Sequence, residues 1–195
     1  MTQRWITSAT LVAALALAAQ PAAAQAFDLG GSVLFSRLSK TSAAYDRGSD
    51  VGYRVGVNLR LGRMFFVQPG VHYQEEGFKL ERTSAPVVGR DRVAIRSWYV
   101  PVQVGVNLGV PAVGLKFSAG PTVKFVTGAN TNDFALGKDD FAKTQWGGTV
   151  NAQARLLFFS VDVGYDAGFT KAFKDTAGFG DGTVNTFRVG LGFFF

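Results

Sequence analysis

A single histidine is the best candidate for acid–base catalysis in this sequence. His72 is the only histidine among 195 residues, and the chain has no cysteine. A serine hydrolase needs a serine beside its histidine, and no serine shares the face of the alternating segment around His72. One histidine without cysteine also cannot supply the ligands of an ordinary transition-metal site. We therefore predict no catalytic, cofactor-binding or metal site, and we expect that the protein is not an enzyme.

Charged side chains recur on one side of segments in which apolar and polar residues alternate. The eight charged residues of this set are Arg54, Arg60, Lys116, Lys124, Arg155, Asp162, Asp166 and Arg188. They are open to two interpretations: a charge-selective pore, or a network of ion pairs that fills an interior. We favour the structural network, in which Arg188 approaches Asp162 or Asp166 from the neighbouring segment.

The period of these segments is two, which is typical of strands with two different faces. In residues 51–61, Val51, Tyr53 and Val55 share one face, whereas Arg54 lies on the other. Eight such segments follow one another, at about residues 29–38, 51–61, 65–74, 98–108, 115–125, 146–156, 159–169 and 186–195. Their length suits a tilted membrane crossing, and an even number of strands closes a barrel without an edge. The predicted fold is all-β: an eight-stranded antiparallel up-and-down transmembrane β-barrel.

The connections between the segments alternate between short and long. Short turns are predicted at residues 61–63, 109–113 and 156–158, and long loops at 39–50, 75–96, 127–144 and 170–184. This asymmetry is typical of outer-membrane barrels, with periplasmic turns and extracellular loops. The loops contain many apolar residues, which predict either a surface that binds a protein partner or a plug over the barrel mouth. These residues are Tyr45, Phe78, Leu80, Val87, Val88, Phe134, Leu136, Phe141, Phe173 and Phe179.

Two of the predicted loops carry a further signal. Phe78 and Leu80, with Val93 and Ile95, lie on the opposite parity from the apolar face of their segments. β-Bulges near Gly77 and Arg96 would account for this change of face.

The two ends of the chain resemble export and assembly signals. Residues 1–25 combine Arg4, an apolar run over 9–19 and small residues, so we expect a cleaved secretory signal peptide followed by a barrel domain at 26–195. Apolar residues occupy every second position near the other end, as expected of a signal for the barrel-assembly machinery; they are Phe187, Val189, Leu191, Phe193 and Phe195.

The net charge of +6 comes from dispersed lysines and arginines. Nucleic-acid binders cluster such residues on one face, so we expect no nucleic-acid partner. The expected partners are outer-membrane lipid and lipopolysaccharide, the assembly machinery and a protein at the extracellular loops.

Short motifs in several segments resemble one family of bacterial barrels. Residues 30–36 are similar to the first strand of the PorT-like or outer membrane protein β-barrel domain family, which is related to the OmpA, OmpX and opacity-like eight-stranded barrels. Gln68-Pro69 resembles the Gln-Pro pair of the family's third strand, and residues 98–102 resemble its next strand, although Tyr99 stands where the family often has Glu.

The resemblance implies an integral barrel of the Gram-negative outer membrane without enzymatic chemistry. We predict a structural or interaction role that presents long extracellular loops. The alternatives are a narrow porin-like channel for small solutes and a lipid-modifying envelope enzyme.

Overall fold

Eight antiparallel strands form a closed barrel in the computed structural model, which describes residues 25–39, 45–82, 90–110, 112–131, 141–172 and 182–195. The strands are β1 (Gln25–Leu38), β2 (Tyr45–Gly62), β3 (Phe65–Arg82), β4 (Arg90–Val110), β5 (Val113–Thr131), β6 (Thr144–Leu156), β7 (Phe159–Gly168) and β8 (Val184–Phe194). Each strand pairs with the next, and β1 pairs with β8 from Asp28↔Phe194 to Leu38↔Val184. The predicted fold is confirmed.

Residues 1–24 lie outside the described residues, so the signal peptide stays a prediction. In the part of the chain that is described, no helix is long and apolar enough to cross a membrane.

The two faces of the barrel are inverted relative to a soluble protein. On β2, the side chain of Arg54 is buried inside the barrel, while Val55 beside it is 50% exposed on the outside. The same alternation holds along the other strands, as the period of two predicts. An apolar outer face suits a lipid solvent, and closure leaves no strand edge with unpaired backbone groups there.

Three short turns connect β2 to β3, β4 to β5 and β6 to β7, where the sequence predicts them. We call this the turn end of the barrel, and the opposite end the loop end. At Gly109 the backbone φ is +139°, and a Cβ atom there would lie 2.3 Å from the carbonyl oxygen of Val113. Both facts require glycine, because an L side chain would be strained and would collide with backbone.

Strands β2 to β5 are longer than the sequence predicts. They have 18 to 21 residues, whereas the other four have 10 to 14. The loops predicted at 39–50, 75–96 and 127–144 are therefore wrong in extent, because strand pairing continues to Tyr45, Arg82, Arg90 and Thr131. The outward apolar pattern marks only the membrane belt. Backbone pairing continues above the belt because it satisfies the same donors and acceptors in water.

Two irregularities lie near the predicted bulges but on the neighbouring strands, because β3 and β4 pair in one register from Phe65↔Val106 to Glu81↔Arg90. The register shifts between Ser49 and Tyr53 on β2, opposite the part of β3 that contains Gly77. A second shift places Arg96 against Gly128 and Ser97 against Val126, which inserts one extra residue into β5.

The expected change of face on β4, however, is wrong. Val93 and Ile95 are buried on the inner side of the strand, in alternation with exposed Arg96 and Trp98. These two apolar residues face inward because the loop end of the barrel is itself enclosed.

Candidate functional site

Charged side chains from all parts of the chain meet in the barrel lumen. All eight charged residues predicted to face inward have the inward parity of their strands. Two inward carboxylates were missed, Asp28 on β1 and Glu76 on β3, and both are buried. Parity was the available signal, because Asp28 alternates with Gly30 and Ser32, and Glu76 follows Gln74 on the same face. Together with the eight predicted residues, these two carboxylates make a set of six cations and four carboxylates, arranged in tiers along the barrel axis.

The central tier is built around Asp166 of β7. Its Oδ2 atom accepts a hydrogen bond from Nη2 of Arg54 at 2.6 Å, and its Oδ1 atom accepts one from the hydroxyl of Tyr99 at 3.0 Å. Arg54 also donates from Nε to Oε1 of Gln74 at 2.8 Å and stacks 3.7 Å from the centre of the Tyr99 ring. Strands β2, β3, β4 and β7 are therefore joined across the lumen by one buried group of side chains.

The tier nearest the loop end is built around Glu76. Nζ of Lys124 donates to both of its carboxylate oxygens, at 2.7 and 3.0 Å. The hydroxyl of Thr186 donates to Oε1 at 2.8 Å and lies 3.1 Å from the hydroxyl of Ser36. This tier connects β3, β5, β8 and β1, and it contains a balanced pair of charges.

Asp28 organises the tier nearest the turn end. Its Oδ2 atom accepts hydrogen bonds from Nζ of Lys116 at 3.4 Å and from Nε2 of Gln153 at 2.9 Å. Lys116 donates in addition to Oε1 of Gln68 at 3.0 Å. Strands β1, β3, β5 and β6 are therefore joined by this group of side chains.

Arg188 and Asp162 form the fourth ion pair. Asp162 is one of the two partners that the sequence leaves open for Arg188. Two glycines on β7 and β8 make room for it. A Cβ atom on Gly164 would lie 2.7 Å from Nε of Arg188, and one on Gly190 would lie 2.3 Å from Oδ2 of Asp162. Inward glycine therefore sets the space into which the long charged side chains fold.

Arg60 and Arg155 have no carboxylate partner among the described residues. They extend from opposite walls, β2 and β6, at the turn end of the lumen. The guanidinium carbon of each lies 4.5 Å from the ring centre of Phe194, which faces inward from β8. This end of the lumen is therefore closed by stacked cations and an aromatic ring.

Apolar side chains enclose the loop end. Phe141, just before β6, is fully buried, and so is Ala172, whose carbonyl accepts a backbone hydrogen bond from Ala142 at 3.0 Å. Buried apolar residues at the loop ends of the strands complete this cap, namely Val93, Ile95, Val126 and Val184. The burial of Phe141 agrees with the plug interpretation, which stays a prediction. The other apolar residues of the predicted loops lie outside the described residues, or their side chains do.

His72 occupies a polar environment, in which it pairs with an amide side chain and shares a cavity with Ser32. One ring nitrogen, Nε2, lies 2.9 Å from Oδ1 of Asn58, and the ring packs edge-on against Tyr99 at 5.8 Å between centres. It borders a polar cavity of about 40 Å³ between the central tier and the Asp28 tier, which is room for a few water molecules. The described residues contain no group of three or more metal-ligating side chains.

Comparison with known proteins places this barrel in a family. The sequence profile of the family described as outer membrane protein beta-barrel domain matches residues 9–195. The chain belongs to this family. It is an integral β-barrel of the bacterial outer membrane, with lipid and lipopolysaccharide as its surroundings.

Similar solved structures share little sequence with this chain. OprG from Pseudomonas aeruginosa is 9% identical with a TM-score of 0.52, over 88% of this chain and 96% of that one. Ail of Yersinia pestis, solved in complex with the heparin analogue sucrose octasulfate, is 14% identical with a TM-score of 0.49, over 88% and 99%. Neisserial surface protein A is 12% identical with a TM-score of 0.48, over 86% and 97%. No curated protein matches the chain significantly in sequence.

Membership of the outer membrane protein beta-barrel domain family orients the barrel. Short turns of such barrels face the periplasm and long loops face the outside, so Arg60 and Arg155 lie at the periplasmic mouth. Aromatic side chains on the outer face lie near both interfaces, as expected of membrane girdles. They include Tyr53, Tyr73 and Trp98 at the loop end, and Phe158, Phe159 and Phe193 at the turn end.

The predicted assembly residues of β8 also have exposed side chains on the lipid side: Phe187, Val189, Leu191, Phe193 and Phe195. Their role in assembly stays a prediction.

Proposed function

We propose that this protein is a closed structural barrel that acts through its outer surfaces and extracellular loops and does not transport solutes. The observation that carries the proposal is the set of ion pairs that join different strands inside the lumen. All four lumen carboxylates, Asp28, Glu76, Asp162 and Asp166, are in ion pairs with cations from other strands. An eight-stranded barrel has an interior that side chains can fill, and here they do so with ionic tiers between an apolar cap and a stacked aromatic mouth.

Conductance in planar lipid bilayers tests this proposal directly. We expect the purified barrel to insert without discrete current steps at moderate voltage. The control is a variant with Glu76→Ala, Lys124→Ala and Asp166→Ala, which removes carboxylates from two tiers and should increase leak current. Reproducible current steps from the natural chain would contradict the closed barrel. They would favour the narrow channel instead, for which the cavity beside His72 would be a segment of the pathway.

A non-enzymatic role is part of the same proposal. It is supported by the surroundings of His72, whose Nε2 atom pairs with an amide oxygen of Asn58 and not with a serine hydroxyl. Phospholipid and lipopolysaccharide acyl chains should be unchanged after incubation with the folded protein, as judged by mass spectrometry. Loss of an acyl chain that His72→Gln abolishes would contradict it.

An interaction role at the cell surface is supported by the unequal strand lengths. β2 to β5 continue above the apolar belt, to Tyr45, Arg82, Arg90 and Thr131. We propose that a protein partner binds there. Photo-crosslinking residues at Leu80 and Phe134 in living cells should give a discrete protein adduct, and a lipopolysaccharide adduct alone would contradict a protein partner.

We also propose that the chain is of the PorT-like type within its family, and that the barrel-assembly machinery recognises the outward apolar face of β8. The support for the first is the Gln68-Pro69 pair and the motif at 98–102. The support for the second is the unbroken alternation of exposed apolar residues from Phe187 onward.

A further inference from the structure

The positive charge of the lumen is not evenly balanced. Of the ten charged lumen residues named above, six are cations and four are carboxylates, so two cations of this set are in excess. Every carboxylate is already paired with Arg54, Lys116, Lys124 or Arg188. The excess therefore lies in Arg60 and Arg155, and both are at the periplasmic mouth.

The geometry at the mouth brings these two cations close together. Each guanidinium carbon lies 4.5 Å from the same ring centre of Phe194, so the two are at most 4.5 + 4.5 = 9.0 Å apart. At this separation two like charges repel each other, more strongly beside an apolar wall than in water. An anion between or beside the two guanidinium groups would relieve this repulsion.

The two arginines also have unused donors. The Nε atoms of Arg60 and Arg155 are buried and have no hydrogen-bond partner. Nη2 of Arg155 makes one long bond of 3.5 Å to the carbonyl oxygen of Val110. Both side chains are only partly buried, so a small molecule can reach them from the periplasm.

We propose that the periplasmic mouth is a binding site for a phosphate-class anion, held by Arg60 and Arg155. Planar guanidinium groups present paired N–H donors that match the oxygens of phosphate, and the Phe194 ring holds both groups at the mouth by cation–π contact. Both arginines point into the lumen, away from the lipid face of the barrel. The bound group is therefore inorganic phosphate or a soluble phosphate ester, and not the headgroup of a phospholipid.

Titration of the full-length folded barrel in zwitterionic micelles with inorganic phosphate tests the site. At constant ionic strength, the Nε–H resonances of two arginines should shift and saturate in the ¹⁵N spectrum. Arg60→Gln and Arg155→Gln should each weaken the affinity by about tenfold or more, because each removes charge-assisted hydrogen bonds. The matched control is Arg63→Gln in the exposed turn that follows β2, which should leave the affinity unchanged within about twofold.

Two further measurements keep the proposal falsifiable. Arg60→Lys keeps the charge and the fold but loses the planar fork, and it should still weaken phosphate binding. In vesicles that contain phosphatidylglycerol, without added inorganic phosphate, the two arginine resonances should have the same positions as in vesicles of phosphatidylcholine alone. A shift there would assign the site to a lipid headgroup and overturn the proposal, as would a titration without saturation or variants that bind phosphate normally.

Discussion

Asp166 shows how single residues hold this lumen together. Its two oxygens accept from Arg54 and Tyr99, and its side chain is almost fully enclosed. A buried ion pair adds little net stability over apolar residues of the same size, but removing one partner leaves an uncompensated charge. A single substitution in such a pair should therefore lower the stability strongly, even though the intact pair adds little to it.

Asp166→Asn keeps the size of the side chain and removes its charge. We expect a loss of about 3 kcal/mol or more in the free energy of unfolding, because Arg54 stays buried without a counter-charge. Urea unfolding in phosphatidylcholine vesicles, followed by tryptophan fluorescence, measures it. The control is Glu75→Gln in the exposed pair with Arg96, where the expected loss is below about 1 kcal/mol. Equal losses in the two variants would show that burial does not decide the effect.

Gly190→Ala adds one methyl group to the lumen beside Asp162. The new Cβ atom would lie 2.3 Å from Oδ2 of Asp162 and 2.5 Å from the hydroxyl of Ser32. The Asp162 carboxylate and the Ser32 hydroxyl must therefore shift, and we expect a loss of about 1–3 kcal/mol in the same unfolding assay. Gly31→Ala is the matched control, since its Cβ atom would have no neighbour closer than 3.7 Å. Destabilisation by Gly31→Ala alone would refute the steric explanation.

At the scale of the strand, position within the belt decides what a substitution does. Val150 lies at the middle of β6 and is 54% exposed on the lipid side, opposite Ala119 and Tyr165 of its neighbours. Asn151 follows it on the lumen side. Successive residues of β6 therefore face two different environments, the lipid and the polar lumen.

Val150→Arg should be tolerated poorly because it places a charge at the lipid midplane. The expected loss is about 2–4 kcal/mol, measured as the shift of the urea midpoint in vesicles. Val150→Leu, which keeps the surface apolar, should change the midpoint little. If arginine at this position were harmless, the outer face of β6 would not face lipid.

At the scale of the whole molecule, closure leaves no free strand edge among the eight strands, because β1 is paired with β8 over 11 residue positions. A closed barrel of this kind resists detergent until it is heated. The unheated protein should therefore migrate differently from the boiled protein on a denaturing gel. Identical migration would contradict closure in the membrane-bound state.

The sequence predicts the architecture far better than the contents of the lumen. Strict alternation, as in residues 51–61, identifies all eight strands and the side on which Arg54 and Asp166 lie. Alternation cannot say that Arg54 meets Asp166 while Arg188 meets Asp162, because that choice depends on the stagger between strands that are distant in the chain. The predicted change of face at Val93 and Ile95 was wrong for a related reason. An apolar residue indicates a nonpolar environment, which is the lipid within the belt but the barrel interior at the loop end.

The tiers also lead us to expect a particular order of events during folding. Arg54 and Asp166 are separated by 112 residues, and Asp28 and Lys116 by 88. An open sheet of consecutive strands cannot bring β2 to β7, so the Arg54–Asp166 contact forms only after β1 has met β8. Interactions that are absent from the transition state slow unfolding and leave the folding rate unchanged. The lumen network should therefore slow unfolding without affecting the rate of folding. Asp166→Asn should accelerate unfolding in a stopped-flow experiment, while folding into vesicles proceeds at the natural rate.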